Sequence, residues 1–187
     1  MNYLSLDLET TGLDPLKHKI VEFGAVFDNG KPIDELPTFR RIIFQEDAIW
    51  SIYCLNLHKH WYYDAVIQKP EHPELSKPGS LMREFLDWYY GQSDQKIMLA
   101  GKNVGAFDLQ FIKQLPDYNP RDFRHRTLDP TMYYILPEDK VPPDLKTCML
   151  RAGLPYDEKL AHTALYDAKC VVQLLRARMP QKVHGDE

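Results

Sequence analysis

The chain has 187 residues, of which 44% are hydrophobic and 27% charged, a balance that fits one soluble domain with one sizeable core and excludes a disordered or fibrous chain. Its formal net charge is -4, so it lacks the positive balance of a protein that grips long duplexes by their phosphates. If it handles nucleic acid, bound cations or a small footprint must compensate. Three Cys, at positions 54, 148 and 170, are widely spaced and form no C-x-x-C pair, so neither a disulfide framework nor a zinc site is suggested. They are expected as buried free thiols in a reducing compartment. The opening residues meet carboxylates at once without a positive n-region, and no run approaches the roughly 18 apolar residues of a membrane span. The expected setting is cytoplasmic.

Tyr3 to Leu8 alternate apolar and polar and then reach a turn at Thr11-Gly12. Ile20 to Phe27, rich in β-branched and aromatic residues, closes on the hairpin signal Asn29-Gly30, and Arg40 to Phe44 gives a third strand. These predict an antiparallel meander. From Trp50 to about Ile67 the period becomes helical, with Ile52, Leu55, Leu57 and Trp61 on a broad face. Lys69 to Gly79 holds three Pro and reads as a loop. Ser80 to Tyr90 reads as a helix with Ser80 as N-cap. Lys96 to Ala100 is a short strand, Ala106 to Leu115 a helix stopped by Pro116, and Asp144 to Ala152 a helix ending at Gly153. The last helix runs from about Thr163 to Met179, and the polar tail after Pro180 is expected to fray. Strands first, then helices interleaved with further strands, give an α/β domain with a mixed sheet flanked by helices. No repeat or linker interrupts it, so residues 1–180 read as one domain and 181–187 as a tail.

Asp7 and Glu9 stand two apart on the first strand and project to one face. Acidic residues are poor strand formers, and a hard divalent cation such as Mg²⁺ or Mn²⁺ would account for the pair; alone, a solvated strand end accounts for it as well. Thr10-Thr11-Gly12-Leu13 follows, where Gly12 permits a tight turn and Leu13 is either a wedge against a nucleobase or a core contact. Asp108, in Asn103-Val104-Gly105-Ala106-Phe107-Asp108, falls in the first turn of a helix just past a strand, where α/β sheets bind ligands. His162 and Asp167 come last. Five residues on one helix stand about 140° apart, so the two share a site only if Thr163 caps the helix and His162 lies in the loop before it.

Taken in order, Asp7-x-Glu9-Thr10-Thr11-Gly12, Asn103-x-x-x-Phe107-Asp108 and His162-x-Ala164-x-x-Asp167 closely resemble the three motifs of the DEDDh exonucleases, a family that includes proofreading exonucleases and oligoribonucleases. The tyrosine branch carries Tyr four residues before the last Asp. That position here is Thr163, so the resemblance is to the histidine branch. It implies an RNase H-like fold and phosphodiester hydrolysis by two metal ions, Mg²⁺ or Mn²⁺. Asp7, Glu9 and Asp167 would hold the first ion, Asp7 would bridge to the second, and Asp108 would complete the site. Two cations about 3.5–4 Å apart activate the attacking water and stabilise the leaving 3′-oxygen. Histidine, which titrates near neutral pH, suits the general base, the role implied for His162. Thr10, Gly12 and Leu13 match the stretch that contacts the terminal nucleotide, and Asn103 and Phe107 the stretch behind it.

The function so implied is 3′→5′ exonuclease action on single-stranded DNA or RNA ends, releasing nucleoside 5′-monophosphates. Alternatives are a phosphodiesterase restricted to very short oligonucleotides and a catalytically silent nucleic-acid-binding module. Against the silent module stand four mutually repelling acids that mere binding does not require. Arg121, Arg124, His125 and Arg126 are the best basic patch for a strand beyond the site, or else a solvated loop. Residues 45–79, with Trp50, His58, His60 and Trp61, match nothing in the proofreading subgroup. Neither a homodimer nor a polymerase partner is assigned by the sequence.

Overall fold

The computed structural model describes residues 1–68 and 74–179. Five strands form one mixed sheet in the order β4-β3-β2-β1-β5: β1 Tyr3–Thr10, β2 Ile20–Asp28, β3 Thr38–Ile43, β4 Leu75–Ser76 and β5 Leu99–Ala100. The first three make the expected antiparallel meander, and β4 and β5 add parallel edges to β3 and β1. Asn29-Gly30 does not close a two-residue hairpin. Asp28 Oδ1 instead accepts from the Gly30 N–H at 3.0 Å, and the chain runs through a 3₁₀ turn at Ile33–Glu35 before the Phe27 N–H meets Pro37 O. β4 was not legible inside the Pro-rich stretch, because two residues carry no period.

The period of two on β1 and β2 makes two unlike faces. Leu4, Leu6 and Leu8, with Phe23, Ala25 and Phe27, bury against helices α2 (Leu81–Tyr90) and α3 (Asp108–Ile112). Burying a side chain such as Phe23 or Phe85 fully stabilises the fold by about 1.5–3 kcal/mol. On the other face the register pairs Tyr3 with Asp28, Ser5 with Val26, Asp7 with Gly24 and Glu9 with Glu22. Helix α5 (Ala164–Arg178) lies across this polar face. The Ser5 hydroxyl donates to Ala168 O at 2.8 Å, and Arg176 donates to both oxygens of buried Asp28, at 2.6 and 2.9 Å. A fork-shaped pair of this kind fixes direction as well as contact.

Helix α1 (Ile52–Tyr63) starts at Ser51, whose hydroxyl accepts from the Cys54 N–H, and ends in a π turn at Asp64–Gln68. Its buried face departs from the expectation. Ile52 is 80% exposed and Leu55 45%, while Cys54 and His58 are buried. Polar residues (Asn56, His58, Lys59, His60) are interleaved with the apolar ones around this helix, so period alone does not select a face; the Ser51 N–H bond to Thr11 O at 2.8 Å contributes to its placement. Trp61 does pack inward, with Ile42, Ala65 and Val66. Ser80 precedes α2, but its hydroxyl donates to Glu84 and Lys77 O rather than capping an amide.

The helix expected from Ala106 contracts to α3, Asp108–Ile112, between turns. Helix α4 (Leu145–Arg151) is capped by Asp144, which accepts from the Thr147 N–H at 2.7 Å. Cys148 and Cys170 meet where α4 packs on α5; burial pushes their thiols up, to about 11 and about 12. All three cysteines are buried and free. The tail expected to fray, residues 181–187, lies outside the described residues. Among the described residues no helix is long and apolar enough to cross a membrane.

Candidate active site

Parallel pairing between β1 and β5 stops at Ser5 and Ala100, and the two chains then diverge. Asp108, at the start of α3, fills the gap: its Oδ1 accepts from the Leu8 N–H at 3.0 Å. Across β1, Gly24 lies opposite Asp7. A Cβ on Gly24 would stand 2.3 Å from Ala164 C and Leu165 N, so only glycine lets the first turn of α5 come down on the sheet. That turn carries Asp167. His162 lies in the loop before it, as expected, exposed and in the left-handed region with φ 60°. Thr163 occupies the cap position, but its hydroxyl donates back to Leu160 O at 2.7 Å. The cap is Glu22 instead, whose Oε2 accepts from the Ala164 N–H at 3.0 Å while Oε1 accepts from Arg40 at 2.6 Å.

These elements bring the sequence-derived residues together. Ligand atoms of Glu9, His162 and Asp167 all lie within 4.8 Å of one another. Asp7 and Glu9 are held well above the ordinary carboxylate range, first by burial and then by the charges of their acidic neighbours. Burial likewise raises Asp108 and Asp167 to about 7. Asp167 Oδ1 is buried and, among the described residues, has no hydrogen-bond partner. A buried acceptor left bare costs about 1–3 kcal/mol, so this oxygen is suited to take a cation or a donor.

His58 is a member of the site that sequence reasoning left unplaced. Its Nε2 lies 3.3 Å from Glu9 Oε2. Burial, with the nearby His162, pushes it down to about 4, so the contact with Glu9 is not that of an ordinary ion pair. The one signal available was Cys54 and His58 standing four apart, one turn on the same face.

A cavity of about 570 Å³ opens over the cluster, lined by Asp7, Asp108, His162 and Asp167, with Leu13, Asn103 and Phe107 on its wall. The size falls in the usual range of ligand pockets. Glu9 sits behind this wall, against His58. Leu13 is 78% exposed, which removes the core-contact reading. Thr10 and Gly12 are buried and shape the turn: the Thr10 hydroxyl donates to Gly12 O at 2.8 Å, and the His18 ring lies where a Gly12 Cβ would be, 2.4 Å away. Arg121, Arg124, His125 and Arg126 are exposed and do not line the cavity.

The profile of the exonuclease family RNase_T matches residues 4–175, a span that contains every residue of the cluster. The chain belongs to this exonuclease family. Its fold is similar to that of exonuclease I from E. coli, seen in complex with a dA16 oligonucleotide (TM-score 0.69, 15% identity) and with a dT13 oligonucleotide (0.68, 14%). Exonuclease I in an SSB-Ct complex gives a TM-score of 0.63 at 14% identity. Each match covers 96% of this chain and 41 or 42% of exonuclease I, so the chain spans well under half the length of these proteins. No curated protein sequence matches it.

Proposed function

We propose that this chain is a metal-dependent 3′→5′ exonuclease that hydrolyses phosphodiester bonds at single-stranded ends and releases nucleoside 5′-monophosphates. The observation that carries the reading is the convergence of Asp7, Glu9, Asp108 and Asp167 beneath one cavity, with a bare buried oxygen on Asp167. Carboxylate oxygens with one imidazole fit hard divalent cations such as Mg²⁺ and Mn²⁺. Asp7, Glu9 and Asp167 would hold a first ion, Asp7 would be shared with a second, and Asp108 would complete the set. When bound, such ions supply charge neutralisation and Lewis-acid activation.

The chain's own residues do the rest. His162 accepts the proton of the attacking water on an imidazole nitrogen and, being exposed in the loop before α5, passes it to solvent. His58 holds Glu9 in place from behind. Leu13 and Phe107 offer apolar surface to the terminal nucleotide, and Asn103 a polar edge. The oligonucleotides in the exonuclease I complexes make single-stranded DNA the first substrate to try, with RNA beside it.

The test is digestion of 5′-labelled DNA and RNA strands with Mg²⁺ or Mn²⁺, alongside Asp7→Asn. A ladder shortening one nucleotide at a time from the 3′ end, absent in EDTA and in the variant, is the expected result. Cleavage confined to di- to pentanucleotides would select the short-substrate phosphodiesterase. Cleavage of nothing would overturn the enzyme reading.

A further inference from the structure

Two lysines line the cavity, Lys102 and Lys146. Lys146 is closed in an ion pair with Glu158. Lys102 is exposed, and among the described residues it makes neither an ion pair nor a side-chain hydrogen bond, although its charge also acts on Asp144 of the same wall. Its backbone is nevertheless fixed on both sides. The Gly101 N–H donates to Leu128 O at 2.9 Å, the Asn103 N–H donates to Asp129 Oδ2 at 2.8 Å, and Asn103 takes a left-handed φ of 57°. The base of Lys102 is therefore held while its ammonium stays available to a ligand in the cavity. Its charge already counters part of the rise that burial imposes on Asp108 and Asp167, so its field reaches the floor of the cavity.

Charge balance indicates which group it meets. Two divalent ions would offset the four carboxylates and draw in the scissile phosphate. The neighbouring phosphate finds no other unpaired Lys or Arg on the cavity wall among the described residues. We propose that Lys102 binds the backbone phosphate immediately 5′ of the scissile one, holding the strand in register rather than taking part in bond breaking. This rests on the exonuclease reading above.

Lys102→Gln should raise KM roughly tenfold with kcat nearly unchanged, as expected for one charge-assisted contact. The plot of log KM against log salt should flatten by about 0.7, the share of one phosphate on a single strand. Lys102→Arg should restore most of both. A neutral methylphosphonate at the second linkage from the 3′ end should cost the wild type the same factor and cost Lys102→Gln nothing further. Additive losses, coupling only at the scissile or third linkage, an unchanged salt slope, or an effect confined to the Mg²⁺ requirement would each overturn the assignment. Binding of a labelled dT strand, followed by anisotropy in the Asp7→Asn background, separates the two readings. Lys102-dependent, salt-sensitive binding without any wild-type cleavage would keep the phosphate site and sink the nuclease.

Discussion

His162 owes its position to the backbone. A non-glycine residue at φ 60° is uncommon, and the turn it makes aims the ring at the acids from outside the helix rather than from its side. That answers the 140° difficulty posed by the five-residue spacing, and it was legible because Thr163 reads as a cap. What the spacing does not decide is whether the imidazole takes a proton or a metal, since its nitrogen stands within 4.8 Å of Glu9 and Asp167 oxygens. As a general base, His162 replaced by Ala should lower the rate by about 10²–10⁴. The rise in melting temperature on adding Mg²⁺ should stay as in the wild type. If that rise disappears with the activity, the ring is a metal ligand and the base lies elsewhere.

At the scale of the element, β2 is the strand that places α5. Glu22, Gly24, Val26 and Asp28 share one face: a cap for the Ala164 amide, a gap for the helix, a core contact and a seat for Arg176. The sequence showed β2 as a strand but not this use of it, because each residue acts through a partner more than 130 positions away. The mixed sheet, the meander and the place of Asp108 were readable, since alternation and turn residues are local. The inward face of α1, and with it His58, was not, because polar and apolar residues are interleaved around that helix. Gly24→Ala tests the placement directly. Its methyl would meet α5 backbone, which cannot swing aside as a side chain would, so a loss of about 1–3 kcal/mol in stability is expected. Activity should fall further than stability, because Asp167 and His162 move with the helix turn. Gly79→Ala, with open space around its Cβ, should leave the rate unchanged. A Gly24→Ala enzyme of normal rate would show that the close approach is not what sets the site.

For the whole molecule the acid cluster is a cost that bound ions would offset. Asp108 and Asp167 sit near 7 in the folded chain, against an ordinary 3.8. Between about pH 4 and pH 7 the metal-free fold therefore holds more protons than the unfolded chain, and its stability falls as pH rises through that window. Above it Asp108 and Asp167 are ionised within the buried acid cluster. Mg²⁺ at about a hundred times its dissociation constant adds about 2.7 kcal/mol, on the order of 5–10 °C in melting temperature for a chain of this size. Protons compete for the same oxygens, so the shift should be large at pH 8 and small at pH 5. On the proposed assignment, Asp7→Asn removes together a buried carboxyl that its acidic neighbours penalise and a shared ligand. In EDTA at pH 8 it should melt a few degrees above the wild type, and on adding Mg²⁺ it should gain less. Thermal melts of both proteins at the two pH values, with EDTA and with Mg²⁺, decide it. A wild type that Mg²⁺ leaves unmoved at pH 8, or an Asp7→Asn protein less stable than wild type without metal, would mean that the four acids do not share one ion site.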